Sequence, residues 1–265
     1  MSIPLFIFAA TICRILLDYQ WVPEDSLSEI LLHQTDTSKL NGTYLPVLDR
    51  LLVGQDGKKR EQLITEYRTV LGTIILLENP LSVSALATLL GVRKASLCIR
   101  LDSLHSIIDI PHDELTPIRL FHLSLRDFLL NANTRESTPL WVDEKEINQK
   151  LTACCLNIMR KMLKKNICNL PSYGIERLTI DSQSISDYLP PELQYSCRYW
   201  IYHLARGKDP MSQIDDITAF LDVHLLHWIE VMSILGLVSE VLGCINTLES
   251  AIQLRIIESK GFWNI

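Results

Sequence analysis

Apolar and polar residues recur along this chain with a helical period almost from end to end. Leu5, Phe6, Ile7, Phe8, Ile12, Ile15, Leu16 and Tyr19 leave a helix over 5–19 apolar on most sides, which predicts burial between neighbours. Pro23 interrupts, and a second helix starts at Ser26 with Leu27, Ile30 and Leu31 at i, i+3 and i+4. The polar stretch Gln34 to Asn41 leads into a third pattern carrying Leu45, Leu48, Leu51 and Leu52, which Gly54-Gln55-Asp56-Gly57 breaks.

A long helical pattern then runs from Glu61 to Leu77. Pro80 ends it, and Ser82 is placed to cap a helix over Val83–Leu90. Gly91 makes a turn before another helix over Arg93–Ser106, giving a helix-turn-helix unit. Two short β-like runs follow, Ile107–Ile110 and Ile118–His122, joined by a loop of hairpin length from Pro111 to Pro117. Helix, turn, helix and hairpin together read as a winged helix. The chain returns to helix from Phe121 through Leu130, and Asn131-Ala132-Asn133-Thr134 breaks it.

The remainder is again helical. Residues 144–165 form an amphipathic pattern with Ile147, Leu151, Cys154, Cys155, Ile158, Met159 and Met162, and end in Arg160, Lys161, Lys164 and Lys165. Those cations suit the negative end of a helix. A loop with Pro171 and Gly174 precedes helices near 192–206, 214–222, 223–235 and 237–257. No repeat period emerges, so a solenoid is not expected. The fold class expected is mainly α: a helical domain, a winged helix with a short β-hairpin, then a second helical domain.

Composition narrows the functions. The chain has 265 residues, 48% of them hydrophobic and 21% charged, enough for two or three small cores. Its 25 basic and 31 acidic residues give a net charge of -6, which argues against nucleic acid as a partner. Seven cysteines, odd in number and without C-x-x-C spacing, fit reduced thiols in a reducing, cytoplasmic setting. All but Cys168 lie in apolar or helical surroundings. The apolar run Ile3–Ile12 lacks a basic flank and is too short to span a membrane, so no membrane association is expected.

Chemistry is sparse. No G-x-x-x-x-G-K-[ST] occurs; Gly54-Gln55-Asp56-Gly57-Lys58-Lys59 has the wrong glycine spacing and reads as a linker turn. Ile214-Asp215-Asp216 reads as the acidic start of a helix rather than the end of a strand. There is no G-x-S-x-G and no H-E-x-x-H. His224 and His227, among Leu225, Leu226 and Trp228, read as packing residues rather than metal ligands, and Tyr195, Tyr199, Trp200 and Tyr202 as core anchors. Neither a catalytic constellation nor a metal site is expected, so the chain is not read as an enzyme.

One string stands apart: Phe121-His122-Leu123-Ser124-Leu125-Arg126-Asp127-Phe128-Leu129. It resembles the histidine-bearing winged-helix motif of NACHT-type signalling NTPases. Further strings carry the resemblance in order, including Leu5-Phe6-Ile7-Phe8-Ala9-Ala10-Thr11-Ile12-Cys13-Arg14, Val70-Leu71-Gly72-Thr73-Ile74, Trp141-Val142-Asp143-Glu144, Cys197-Arg198-Tyr199-Trp200 and His224-Leu225-Leu226-His227-Trp228. Together they are similar to the region following the NTPase core in fungal NOD-like proteins of the STAND class, several of which act in vegetative incompatibility, a form of fungal innate immunity.

The resemblance implies a helical domain over 1–55 closing a NACHT module, a winged-helix domain over 60–135, and a second helical domain over 140–258. It implies that His122 contacts the β-phosphate of ADP when an NTPase core is present, and more weakly that Pro4 lies near the adenine. ADP or ATP with Mg is the cofactor implied for a full-length relative, and none is expected in this chain alone. The implied partners are a nucleotide-binding domain, in cis or in trans, and further copies of the chain. The function implied is that of a non-catalytic regulatory arm passing nucleotide state to oligomerisation in an intact protein; without the phosphate-binding loop, the chain itself reads either as a partner acting in trans or as a truncated product. The alternative is a winged-helix DNA-binding protein, in which Arg93, Lys94 and Arg100 would face a groove.

Overall fold

A computed structural model describes residues 9–11, 13–14, 39–111, 113–172 and 174–261. Of the expected helix over 5–19, the described residues 9–11 and 13–14 are helical; the rest of it, Pro4, the helix from Ser26 and the last residues fall outside the described set.

As the periodicity predicts, the described residues are mainly helical with one short hairpin. It divides into two compact units, residues 1–84 with 93–143, and residues 85–92 with 144–265. The elements of the first half are α1 (Lys39–Arg50), α2 (Gly57–Leu76), α3 (Val83–Leu90), α4 (Lys94–Asp102), β1 (Ile108–Asp109), β2 (Arg119–Leu120), α5 (Ser124–Leu130) and α6 (Thr134–Ser137). Helix α2 starts four residues before the expected Glu61, because Lys58, Lys59 and Arg60 are good helix formers that extend the pattern backward. Gly54 and Gly57 take φ of 70° and 53°, left-handed values that suit a glycine break between α1 and α2.

Helix α4 is shorter than the expected Arg93–Ser106. After Ser103 the chain tightens: the Leu101 and Leu104 carbonyls accept from Leu104 and from Ile107 and Ile108, which turns the backbone into β1 and buries Leu104. Strands β1 and β2 are antiparallel, with Ile108 opposite Leu120 and Asp109 opposite Arg119. The Ile118 amide donates to the Leu81 carbonyl at 2.9 Å, fixing the base of the hairpin. Helix α5 packs on α1 and α2, with Leu125, Phe128 and Leu129 inward.

The second unit is built on α7 (Glu144–Met162), α8 (Ser182–Tyr188), α9 (Pro191–Arg206), α10 (Ile214–Ile234) and α11 (Val238–Gly261). Helix α9 is its spine, lying along α7 and touching α10 and α11. Trp200 is fully buried, with Phe220 and Trp228 edge-on at 5.7 and 5.9 Å, and the Trp228 indole donates to the Cys197 carbonyl at 2.8 Å. The two helices expected over 214–222 and 223–235 are one helix. No glycine or proline lies between them, and Asp222-Val223 carries no reason to stop.

Two further expectations are corrected. Cys168, set apart as the one cysteine outside apolar surroundings, is buried with Cys155 and Cys197, whereas Cys13 is exposed. Helix α8 was not anticipated. It follows an irregular segment where Asn166 and Asn169 adopt φ of 52° and 51°, and Asp181 caps it by accepting from the Ser184 amide at 3.1 Å.

That segment is tied to α10 twice. The Glu230 carboxylate accepts from the Asn166 and Ile167 amides, each at 3.1 Å. Arg177 donates to the Ile234 and Leu235 carbonyls at 3.0 and 3.2 Å, capping the C-terminal end of α10. Gly236 follows with φ of 76°, and a Cβ there would lie 2.6 Å from the Arg177 guanidinium carbon. Gly236→Ala therefore combines left-handed strain with displacement of the cap, and a loss of roughly 1–3 kcal/mol in urea unfolding is expected.

A buried polar chain crosses the α7–α9 contact. The Asn148 amide donates to the Glu144 carbonyl, which turns its oxygen toward His203 Nδ1 at 2.7 Å. His203 Nδ1 is thus the proton donor, and Nε2 accepts from the Tyr195 hydroxyl at 2.7 Å. Burial, helped by the Arg206 charge, lowers the His203 pKa to about 4. Because the folded value lies below the ordinary 6.5, the unfolded chain binds the proton first. Stability is therefore fully present above pH 6.5 and falls as pH drops toward 4, by about 3 kcal/mol at about 1.4 kcal/mol per pKa unit. Urea midpoints of the wild type and His203→Gln across that window should converge as pH falls; parallel curves would show that His203 does not titrate on unfolding.

Candidate functional site

His122 follows β2 and precedes α5, a position set by the end of the hairpin ladder and the start of the next helix. Its ring is held locally. The Ser124 backbone amide donates to His122 Nδ1 at 3.0 Å, so Nδ1 carries no proton in the neutral ring. The Ser124 hydroxyl lies 2.9 Å from the same nitrogen, and the Tyr44 hydroxyl lies 2.7 Å from Ser124 Oγ. Burial pushes the Tyr44 pKa up, so Tyr44 keeps its proton. Nδ1 has a single lone pair, which the amide and the hydroxyl of Ser124 share, while Ser124 Oγ accepts from Tyr44 O–H. The neutral imidazole then bears its proton on Nε2, the far side of the ring, as a hydrogen-bond donor.

Tyr44 reaches this chain from α1, where it is buried and its ring packs 5.3 Å from that of Phe128 on α5. The residues that set the histidine therefore come from two helices 80 positions apart. The ring also lines a cavity of about 90 Å³, together with Ala10, Thr11, Arg14, Tyr44, Ile107 and Phe121. This is well below the roughly 300 Å³ at which small-molecule sites begin and is the size of a single chemical group. Arg14 lies over the Phe121 ring, 3.8 Å from its centroid.

The donor set suits an oxyanion. The cavity lining contains one permanent cation, one N–H donor of fixed tautomer, and no carboxylate among the described residues. Sequence reading singled out His122 and missed Tyr44, Ser124 and Arg14; the Ser two residues after the histidine was the only local signal. Pro4, the other expected site residue, lies outside the described residues.

His224 and His227 are neighbours, Nδ1 to Nδ1 3.4 Å, with His224 stacked on Phe220. No group of three or more metal-ligating side chains occurs among the described residues. On α4, Lys94 pairs with Glu114 at 2.5 Å and Arg100 with Glu66 at 2.7 Å. Helix α10 is long and apolar enough to cross a bilayer, but Phe220, Trp228, Val231 and Met232 of it are buried in the second unit.

The chain is similar to a fungal protein. It is 24% identical over 268 residues to vegetative incompatibility protein HET-E-1 of Podospora anserina, a distant similarity covering 92% of this chain. The chain spans 19% of that protein's length. No family model matches the chain, and no solved structure matches it.

The hydrogen-bond chain makes a spectroscopic prediction. At a pH where His122 is neutral, nitrogen-15 spectra should show Nδ1 as the bare, pyridine-type nitrogen and Nε2 as the protonated one; the reverse would remove the donor. Tyr44→Phe should cost roughly 1 kcal/mol of stability, the usual net worth of one buried hydrogen bond.

Proposed function

We propose that this chain is a non-catalytic regulatory region of a NACHT-type signalling protein, in which His122 reads the phosphate of a bound nucleotide. The observation that carries the reading is the Ser124 amide on His122 Nδ1, which leaves the opposite nitrogen as the donor of a ring that lines a small cavity with no acid among the described residues. The distant similarity to a vegetative incompatibility protein supports the same class. When bound, ADP would supply the anionic oxygen; this chain's part is to hold the donor ready and to lose that contact when the partner domain moves. The winged-helix reading of α3, α4 and the hairpin belongs to this proposal, as do a nucleotide-binding domain as partner, oligomerisation as output and a cytoplasmic setting.

Duplex DNA is a poorer fit. Lys94 and Arg100, two of the three cations expected to face a groove, are each engaged by a glutamate of the same unit. Groove readers leave such side chains to phosphates and bases.

The test is association of the full chain with a NACHT-type nucleotide-binding domain loaded with ADP or with ATP. Binding should favour the ADP state, and His122→Gln should weaken it about tenfold, the scale of one charge-assisted hydrogen bond. Equal binding in both states, or indifference to His122→Gln, overturns the reading. Steeply salt-dependent binding of duplex DNA in a parallel titration would favour the alternative.

A further inference from the structure

We infer that Arg14 and His122 form a single two-donor site for one phosphate-like oxyanion, with Arg14 supplying the charge and His122 the direction. The inference rests on the phosphate reading of His122 and names a second ligand for it.

The first support is placement. Arg14 and His122 line the same cavity, and they come from segments more than a hundred residues apart. The second is that Arg14 is held where it is needed. Its guanidinium sits 3.8 Å over the ring of Phe121, the residue covalently next to His122, so the hairpin end that presents the imidazole also seats the cation. Stacking on an aromatic face leaves the in-plane N–H groups of a guanidinium free to donate.

The third support is electrostatic. The chain carries a net charge of -6, yet this cavity is lined by one arginine and no aspartate or glutamate among the described residues. No ion pair joins Arg14 to a carboxylate among those residues either. A guanidinium beside a half-closed cavity whose described lining carries no acid attracts an anion, and its planar fork matches two oxygens of a phosphate.

The division of labour follows from the chemistry. With Nδ1 taken by the Ser124 amide, the imidazole has a single N–H to offer, from Nε2, which gives orientation with little affinity. Arginine stays charged at any physiological pH and supplies the affinity. The small volume accounts for a terminal phosphate, with the nucleoside lying outside this cavity.

The test uses the full chain and inorganic pyrophosphate as probe, followed by the nitrogen-15 resonances of His122. Pyrophosphate should shift Nε2 saturably, while sodium chloride at matched ionic strength should not. Arg14→Gln should weaken pyrophosphate at least tenfold, and Arg14→Lys should fall between, keeping the charge and losing the fork. Phe121→Leu should weaken it severalfold by unseating the guanidinium. Unchanged pyrophosphate affinity in Arg14→Gln, with a loss in His122→Gln, would sink the role of Arg14 and leave the phosphate reading standing. No shift in the wild type would sink the two-donor site, and the domain-association experiment then judges the phosphate reading on its own.

Discussion

The hydrogen bond from the Ser124 amide to His122 Nδ1 is short-range, only two residues long, yet the chemistry of the site hangs on it. It forms because β2 ends and α5 begins within the same few residues, leaving an amide without a helical acceptor directly beside the imidazole. One orphan donor of the helix start is satisfied, and one tautomer of the histidine is chosen. Tyr44 then secures the arrangement from α1 through the Ser124 hydroxyl, so the ring orientation depends on the packing of α1 against α5. A local turn selects the tautomer, and tertiary packing holds the Ser124 hydroxyl beside the ring.

Much of the fold was legible from periodicity. Val83–Leu90 was read to the residue, and the hairpin was placed within two residues on each strand, because proline, glycine and β-branched residues punctuate that stretch clearly. Errors arose where punctuation was weak or local sequence was overridden. The over-long expectation for α4 reflects a turn stabilised by carbonyls that sequence does not announce, and α10 runs unbroken where two helices are expected because no glycine or proline divides it. Helix α8, Ser182–Tyr188, has almost no apolar stripe, and only its Asp181 cap could have signalled it.

The site was legible in one residue and illegible in its context. His122 stood out through family resemblance, whereas Tyr44 and Arg14 lie in apolar helical runs where nothing marks them as site residues. Pairings across such distances depend on how helices pack, and packing is set by whole faces rather than by any string. The electrostatics behave similarly. Composition reports an acidic chain, but only the fold shows that Lys94 and Arg100 pair with glutamates and that the described lining of the cavity beside His122 carries no acid.

The continuity of α10 has a mechanical meaning of its own. Twenty-one residues at about 1.5 Å each make a stiff rod of roughly 30 Å. Near its start Asp216 is gripped by Arg160, and at its far end Arg177 clasps the last carbonyls. A helix broken after Asp222 would absorb a push at one end as a bend. An unbroken one resists that bend, so the Arg160 grip near its start and the Arg177 cap at its end are held a fixed distance apart.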